Sequence, residues 1–538
     1  MPLNLLGLEG QWQWLPVFRV EKVTGKVWKD SIAPWEITTD YANNPVVALD
    51  APRSDFNGVL AQFLIGLLQT AFAPKDRREW ENRLFGQPPT PEELKAAFIQ
   101  FEGAFNLNGD GPRFMQDFDP LAAQKPLPIT ALLIDTAGSE THFIKNLPEQ
   151  GFSPALAAIA LYALQTNAPA GGAGHRTSLR GGGPLTTLVV CAPDDPRQPA
   201  TLWQTLWLNV LEASYFKSQH NRPEDIFPWL APTRTSEKDS KTQVTTRDDV
   251  NPLQMFWGMP RRIRLDFENE GSGECGLSGE HSELLIRQYR TRNYGVNYSG
   301  AWEHVLSPHN RSSEGEVLPM HAKGQINYRH WLGLVQSNQD KKIQRVPAAT
   351  IQRFWRQRLQ RDGYRFRLWA FGYDMDNMKP RCWYEATMPL FELDETKREP
   401  FENTVKNLID AAGLFLGNLR SCLKDAWFSD GDPRRTGADT GFLDTAFWSD
   451  TENDFYHLLG QLRTEPDNSA LRKQIFIDWH SKLNSYTLET FDRYANTSQI
   501  AEQNPRRIAE AHRNLMRFNY KKDIKNLLDM PITPDKKA

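Results

Sequence analysis

The sequence predicts an α+β fold: a large N-terminal domain of mixed helices and strands over residues 1–395, followed by a C-terminal four-helix bundle over 396–538. Three observations predict it. Beyond Phe391 apolar residues recur at helical spacing in four long segments. Between Pro260 and Glu385 they fall instead in short β-like runs, and before Pro260 the two patterns alternate.

Taken in order, residues 1–50 mix short apolar runs with turn residues, as in Trp14-Leu15-Pro16-Val17-Phe18, the pattern of strands and loops. Over 53–72, Val59, Leu60, Phe63, Leu64, Leu67, Leu68 and Phe72 share one helical period, and Pro74 closes the run. A second helix is expected over 90–105, with Thr90 as N-cap ahead of Pro91-Glu92-Glu93, and a third over 154–166. Residues 185–191 read as a strand. The stretch 232–252 is almost without apolar residues and reads as a surface loop or mobile linker. Runs such as Arg261–Leu265 and Arg365–Trp369 mark the β-like region, and 269–279 is another loop. The bundle opens with 404–428, carrying Val405, Leu408, Ile409, Ala412, Leu416, Leu419 and Cys422; periodic segments follow at about 441–463, 468–495 and 503–528. No internal repeat is visible.

Composition narrows the function classes. The 538 residues are 40% hydrophobic and 24% charged, which excludes a disordered chain. The longest apolar stretches, 63–73 and 155–164, are too short to span a bilayer, so no membrane partner is expected. The start, MPLNLLGLEG, lacks a basic region and a cleavage site, and a cytoplasmic location is expected. Cys191, Cys275, Cys382 and Cys422 form no CxxC pair, which suits a reducing compartment and argues against structural zinc. A net charge of −3 excludes coating nucleic acid by bulk electrostatics but leaves local recognition open. Seventeen tryptophans suit core and interface anchors, as in a subunit that docks on partners.

The most informative stretch is 168–184. Six glycines among residues 171–183 strip side chains from the backbone, so another molecule can approach the peptide groups; His175, Arg176 and Arg180 among them would suit an anion. An ordinary flexible loop is the competing account. No Lys-Ser/Thr follows at phosphate-loop spacing and no GxGxxG opens a helix, so nucleotide-cofactor folds are disfavoured and no cofactor is expected.

Residues 369–385 read as a β-like run, a Gly372-Tyr373 turn, a polar tip and a return marked by Pro380. Asp374 and Asp376 alternate as metal ligands do, yet a cation site needs more oxygens than these two. A tip bearing Asn377 and Met378 suits instead a wedge between stacked bases. In 287–294, arginines alternate with aromatic and polar residues; on a strand, Arg290 and Arg292 share one face and Tyr289 takes the other. That face is either a solvated edge or a phosphate or minor-groove contact. The polar loop 136–151 strands an apolar pair, Phe143-Ile144, tucked under it or offered to a partner. Over 501–538 nine Lys/Arg oppose five acids, a solvated face or a track for a nucleic-acid strand.

Signs of catalysis are few: there is no GxSxG, no HExxH and no zinc-deaminase pattern. The enzymatic alternative is a metal-dependent hydrolase using Asp374, Asp376 and the histidines His304, His309 and His321, with Glu303 nearby.

Together WLPV at Trp14–Val17, Phe114-Met115-Gln116, APAGGAGHRTSLRGGGP at Ala168–Pro184, Phe256-Trp257 and FGYDMDNMKPRCWYE at Phe371–Glu385 resemble, in order and spacing, the CasA family. These are large subunits of the type I-E CRISPR surveillance complex Cascade. The resemblance implies the same two-domain fold and a non-catalytic subunit, without metal, that recognises the protospacer-adjacent motif in duplex DNA from the minor groove. It implies that Gly171, Gly172, Ala173 and Gly174 lie against the groove, and that Asp376, Asn377 and Met378 wedge the first base pairs apart. The family's best-known wedge carries glutamine where Asn377 is one methylene shorter. A groove-reading lysine of the family falls near Asn293, so that role passes to Arg292, with Arg176 as a further phosphate contact. Phe143, Ile144 and Lys145 would meet the guide RNA and neighbouring subunits, and Arg513, Arg517 and Lys521 the displaced strand. Some relatives carry paired zinc cysteines near Cys275, which stands alone here. The implied partners are the other Cascade subunits with their guide RNA, target duplex and a helicase-nuclease.

Overall fold

The Ser54–Ala71 helix organises the first of two units. Fourteen of its 18 residues are buried, so it is surrounded rather than laid on a surface by one face. Rings of Trp14, Phe105, Phe114, Tyr162 and Trp257 meet Phe63 edge-on or near it, with centroids 5.7–6.1 Å away. Each such contact adds about 0.5–1.5 kcal/mol beyond area burial. Seven of the tryptophans are fully buried, which makes those seven core residues.

The computed structural model describes residues 3–8, 12–136, 151–172, 174–193, 199–268, 271–300, 302–339, 343–357, 364–376, 379–391, 393, 395–495 and 504–531. The units are Met1–Ile326 with Ser337–Thr387, and Asn327–Gln336 with Met388–Ala538. The α+β architecture read from the sequence is the one observed, with a long helical region at the C-terminal end.

The first unit also holds small antiparallel sheets. Leu15–Val20 lies between Val27–Ile32 and Val46–Leu49. Gln288–Arg292 lies between Leu127–Pro128 and Arg262–Asp266. Tyr364–Asp376 is the middle strand of a third sheet, between Thr186–Pro193 and Lys379–Pro389. A four-stranded sheet runs in the order Val317–Pro319, His309–Ser312, Ile343–Val346, Asn338–Gln339.

Several expectations are refined. The helix expected over 90–105 is α-helical only through Pro91–Phe98, then tightens to a 3₁₀ turn at Ile99–Ala104; Thr90 and Glu93 do form a reciprocal capping box. The β-like region also holds a helix, Ala349–Gln357, too short for its period to stand out between strands. The 232–252 stretch is no linker between units, since both ends lie in the first. Hydrogen bonds from Thr245 N–H to the Asn297 carbonyl (2.8 Å) and from Ser299 N–H to the Thr245 carbonyl (3.1 Å) pin it down.

The second unit holds the helices Glu395–Trp427, Gly441–Asp450, Glu452–Leu462, Ser469–Ala495 and Pro505–Phe518, with short helices at Arg434–Gly437 and Lys522–Leu527. The first of these starts nine residues before the 404 expected, because the helix runs through Pro400 rather than stopping at it. Leu419, Leu423, Leu443, Phe491, Ala511 and Leu515 meet in its core. Asn327–Gln336 joins this unit because Tyr328 stacks on Phe455, centroids 4.3 Å apart, and Trp331 packs against Phe391 and Phe401. The Tyr328 hydroxyl also hydrogen-bonds Thr451 Oγ1 at 2.9 Å, where the helical segment expected over 441–463 breaks in two.

Candidate nucleic-acid interface

The glycine segment leaves the Pro154–Asn167 helix, whose N-terminus Ser153 caps. It returns on itself: Ser178 N–H donates to the Ala168 carbonyl at 3.0 Å and Gly183 N–H to the Asn167 carbonyl at 3.1 Å. Its tip is bare. Gly171 and Gly172 are exposed, and Gly172 sits at φ +65°, where a Cβ would meet no atom within 4 Å. The backbone there needs glycine for its angle, while the space above it is free for another molecule. At Gly174 a Cβ would fall 2.7 Å from the Tyr294 ring. Ala173 lies outside the described residues.

The cations around this tip divide into two kinds. Arg180 is not available to an anion, contrary to the expectation. It is 5% exposed and donates to Gln62 Oε1 (2.6 Å), Ser307 Oγ (2.8 Å) and Thr186 Oγ1 (2.9 Å). Burial pulls its pKa down to about 10, which leaves it charged at neutral pH. It ties the glycine segment to the central helix. Arg261 likewise donates to the Pro169 carbonyl. Burial, and then the Arg261 charge, lower the pKa of His175, which favours its neutral form. Arg176 is half-buried, donating to Ser236 Oγ at 2.8 Å.

Beside the tip ends the Gln288–Arg292 strand. As its alternation predicts, Tyr289 is buried, Arg290 is half-buried near Asp266 (3.4 Å) and Arg292 is exposed. Arg292 pairs with Glu237 of the pinned 232–252 segment at 3.1 Å, both side chains being close to half exposed. Asn293 is half-buried. Tyr294 follows, giving its N–H to the Gly174 carbonyl at 2.9 Å and accepting from Ser236 N–H at 3.1 Å. Gly171, Gly172, Gly174, Arg176, Arg292 and Asn293 are thus brought to one locality. Sequence reading placed Tyr294 at the end of the 287–294 stretch without giving it a role; next to it, a Cβ at Gly295 would lie 2.1 Å from the Pro260 carbonyl oxygen.

The hairpin forms an arm. Its pairing with Thr186–Pro193 ends at Phe371↔Thr186, and the strand continues five more residues, Gly372–Asp376. At ~3.3 Å per residue that is a span of about 16 Å, in which Gly372, Tyr373 and Asp374 are buried and only Asp376 is exposed. Phe371 and Trp383 brace the base: a Cβ on Gly58 of the central helix would lie 2.9 Å from one ring and 3.0 Å from the other. The Tyr373 hydroxyl donates to Asp55, itself paired with Arg53. Asp374 is buried, and both its oxygens lie 2.9 Å from an Arg381 nitrogen; it also accepts from Gly324 N–H at 3.2 Å. Asp376 is exposed, 3.8 Å from Arg381. Asn377 and Met378 lie outside the described residues. Arm and glycine segment are neighbours, since a Cβ on Gly183 would lie 2.7 Å from Met375 Cγ.

This arrangement gives the hydrolase reading no support. Asp374 is engaged by Arg381, and among the described residues no three His, Cys, Asp or Glu side chains come together as metal ligands. Burial lowers the pKa of His304 well below that of a free imidazole, and its Nδ1 accepts from Leu306 N–H. His321 faces the Gly183 carbonyl at 3.3 Å.

In the second unit Arg513 and Arg517 are exposed on the Pro505–Phe518 helix, with Lys521 just beyond it over the Phe518 ring at 3.6 Å. Among the described residues none of the three pairs with a carboxylate. Phe143, Ile144 and Lys145 lie outside the described residues. Among the described residues no helix is long and apolar enough to cross a membrane.

The fold is that of CRISPR-associated proteins. It matches Cse1 of Thermobifida fusca (TM-score 0.69, 18% identity, 99% of each chain covered). It also matches Cse1 of Acidimicrobium ferrooxidans (0.65, 16%, covering 98% of this chain and 99% of that one). A chain of a CRISPR RNA-guided surveillance complex is similar too (0.67, 14%, 97% and 100%). The family model described as CRISPR-associated protein Cse1 matches residues 11–490, and the chain belongs to that family.

Proposed function

We propose that this chain is the non-catalytic large subunit of an RNA-guided CRISPR antiviral complex, acting in the cytoplasm without a cofactor. It recognises the protospacer-adjacent motif from the minor groove, opens the duplex to start the R-loop and recruits the helicase-nuclease. Family membership and the likeness to a surveillance-complex chain support the assembly. The observation that supports DNA recognition is the exposed Gly171-Gly172 tip, in a segment whose other end, at Gly183, packs against Met375 of the hairpin.

The chemistry follows from that tip. The minor groove presents a degenerate donor and acceptor pattern, so a probe made of main chain reads it loosely and tolerates several motifs. Gly171, Gly172, Ala173 and Gly174 form the probe. Arg292 and Asn293 approach the groove and its phosphates, and Arg176 assists through the segment it holds. Sequence fidelity is left to guide pairing. Asp376, Asn377 and Met378 then insert at the first base step, whose opening costs about a few kcal/mol. Phe143, Ile144 and Lys145 contact the guide RNA and adjoining subunits within a docking and motif-reading domain of residues 1–395. In the bundle of 396–538, Arg513, Arg517 and Lys521 hold the displaced strand.

In the assembled complex, Asn377→Ala should slow strand opening, followed with a base-analogue fluorophore at the first target positions, about 10-fold. Initial association with the duplex should change less than twofold. Equal losses in both would remove the wedge role. Reversing Arg513 and Arg517 to glutamate should weaken retention of the displaced strand and flatten the dependence of log Kd on log salt by about one to two units. An unchanged slope would count against the bundle track.

A further inference from the structure

We infer that Tyr294 is the residue that shapes the glycine probe and forms an aromatic wall for the deoxyribose edge of the groove, an inference that rests on the reading above. Six described non-glycine residues adopt positive φ: Asp40, Met115, Leu121, Tyr294, Gln325 and Asp529. Left-handed backbone costs a side-chain-bearing residue roughly 1–2 kcal/mol, least for Asp and Asn. Met115 and Leu121 are buried, so core packing offsets the strain. Tyr294 is the aromatic member and is 40% exposed, so burial does not account for it.

What the strained turn achieves is local. One residue bridges two segments, its N–H on the Gly174 carbonyl and its carbonyl on Ser236 N–H. Its ring takes the space of a side chain at 174, with Cε1, Cδ1 and Cζ at 2.7, 2.8 and 3.1 Å from that Cβ position. The ring leaves no room for a side chain at 174, where the φ of +85° already favours glycine. The ring covers one flank of the probe and leaves its other parts to solvent, one residue from Asn293 and two from Arg292. A flat apolar face beside bare peptide groups suits the sugar wall of a minor groove, which offers C–H groups and no charge.

The test uses the assembled complex with Tyr294→Gly and Tyr294→Phe. Glycine adopts this backbone freely, so the thermal midpoint of Tyr294→Gly should hold or rise. Its Kd for duplex carrying the motif should nevertheless rise about 10-fold, and discrimination against duplex lacking the motif should shrink. Tyr294→Phe should bind like wild type. Wild-type affinity for Tyr294→Gly overturns the inference, and so does a lowered midpoint. Gly172→Val serves as the control for the underlying reading: if it loses binding while Tyr294→Gly does not, only the present inference fails. If Gly172→Val binds normally, the reading of the probe fails instead.

Discussion

Replacing Gly172 with valine is expected to lower association of the assembled complex with its target duplex by at least about 10-fold, the equivalent of ~1.4 kcal/mol, if the tip meets DNA as proposed. Two effects act together. At φ +65° a β-branched residue is strained, so the loop shifts away from its present backbone. Where it does not shift, the new methyl groups stand between main chain and groove and hold the peptide groups beyond hydrogen-bond distance. No steric clash adds to that strain, because a Cβ here meets no atom within 4 Å. The measurement is duplex affinity with guide loaded, alongside the thermal midpoint. Unchanged affinity would mean that this tip does not touch DNA.

Arg180→Met is expected to destabilise the chain by about 3 kcal/mol. The side chain lost is apolar along most of its length and methionine fills much of that volume, so the cost lies in the polar partners. Gln62 Oε1, Ser307 Oγ and Thr186 Oγ1 all lose a donor inside the core. Arg180→Lys should recover little, since one ammonium cannot span three acceptors that the guanidinium fork reaches together. Chemical denaturation of the purified chain reads the loss. Amide exchange at 168–183 should also quicken, as the segment is no longer tied to the central helix. A loss below about 1 kcal/mol would show that those acceptors find other partners.

How much was legible follows from which forces are local. Helical period is a local property, so the central helix and the bundle segments stand out, and the N-cap at Thr90 was readable to the residue. Helix 395–427 was read short because proline is a strong local stop that tertiary packing overrode. The glycine segment and the arm could be recognised as unusual, but their adjacency depends on contacts such as Gly183 with Met375, nearly 200 residues apart. Arg180 shows the limit most clearly. Among glycines an arginine reads as an anion contact, and only its long-range partners on Gln62 and Ser307 make it a buried strut. Likewise the polar 232–252 stretch has the composition of a linker, yet it is held by hydrogen bonds whose partners lie 52 and 54 residues away, at Asn297 and Ser299. Composition carries no record of such ties.

On the proposed reading, in which Arg292 meets DNA, its pairing with Glu237 would have a kinetic meaning for a searching complex. An exposed pair of this kind is worth at most about 1 kcal/mol, so a phosphate correctly presented can displace the carboxylate at little cost. Until then the arginine would be masked, and random DNA would find less positive charge to hold it. If the proposed role holds, dwell times on unrelated sequence would shorten accordingly, and the time freed would go into sampling more of the genome.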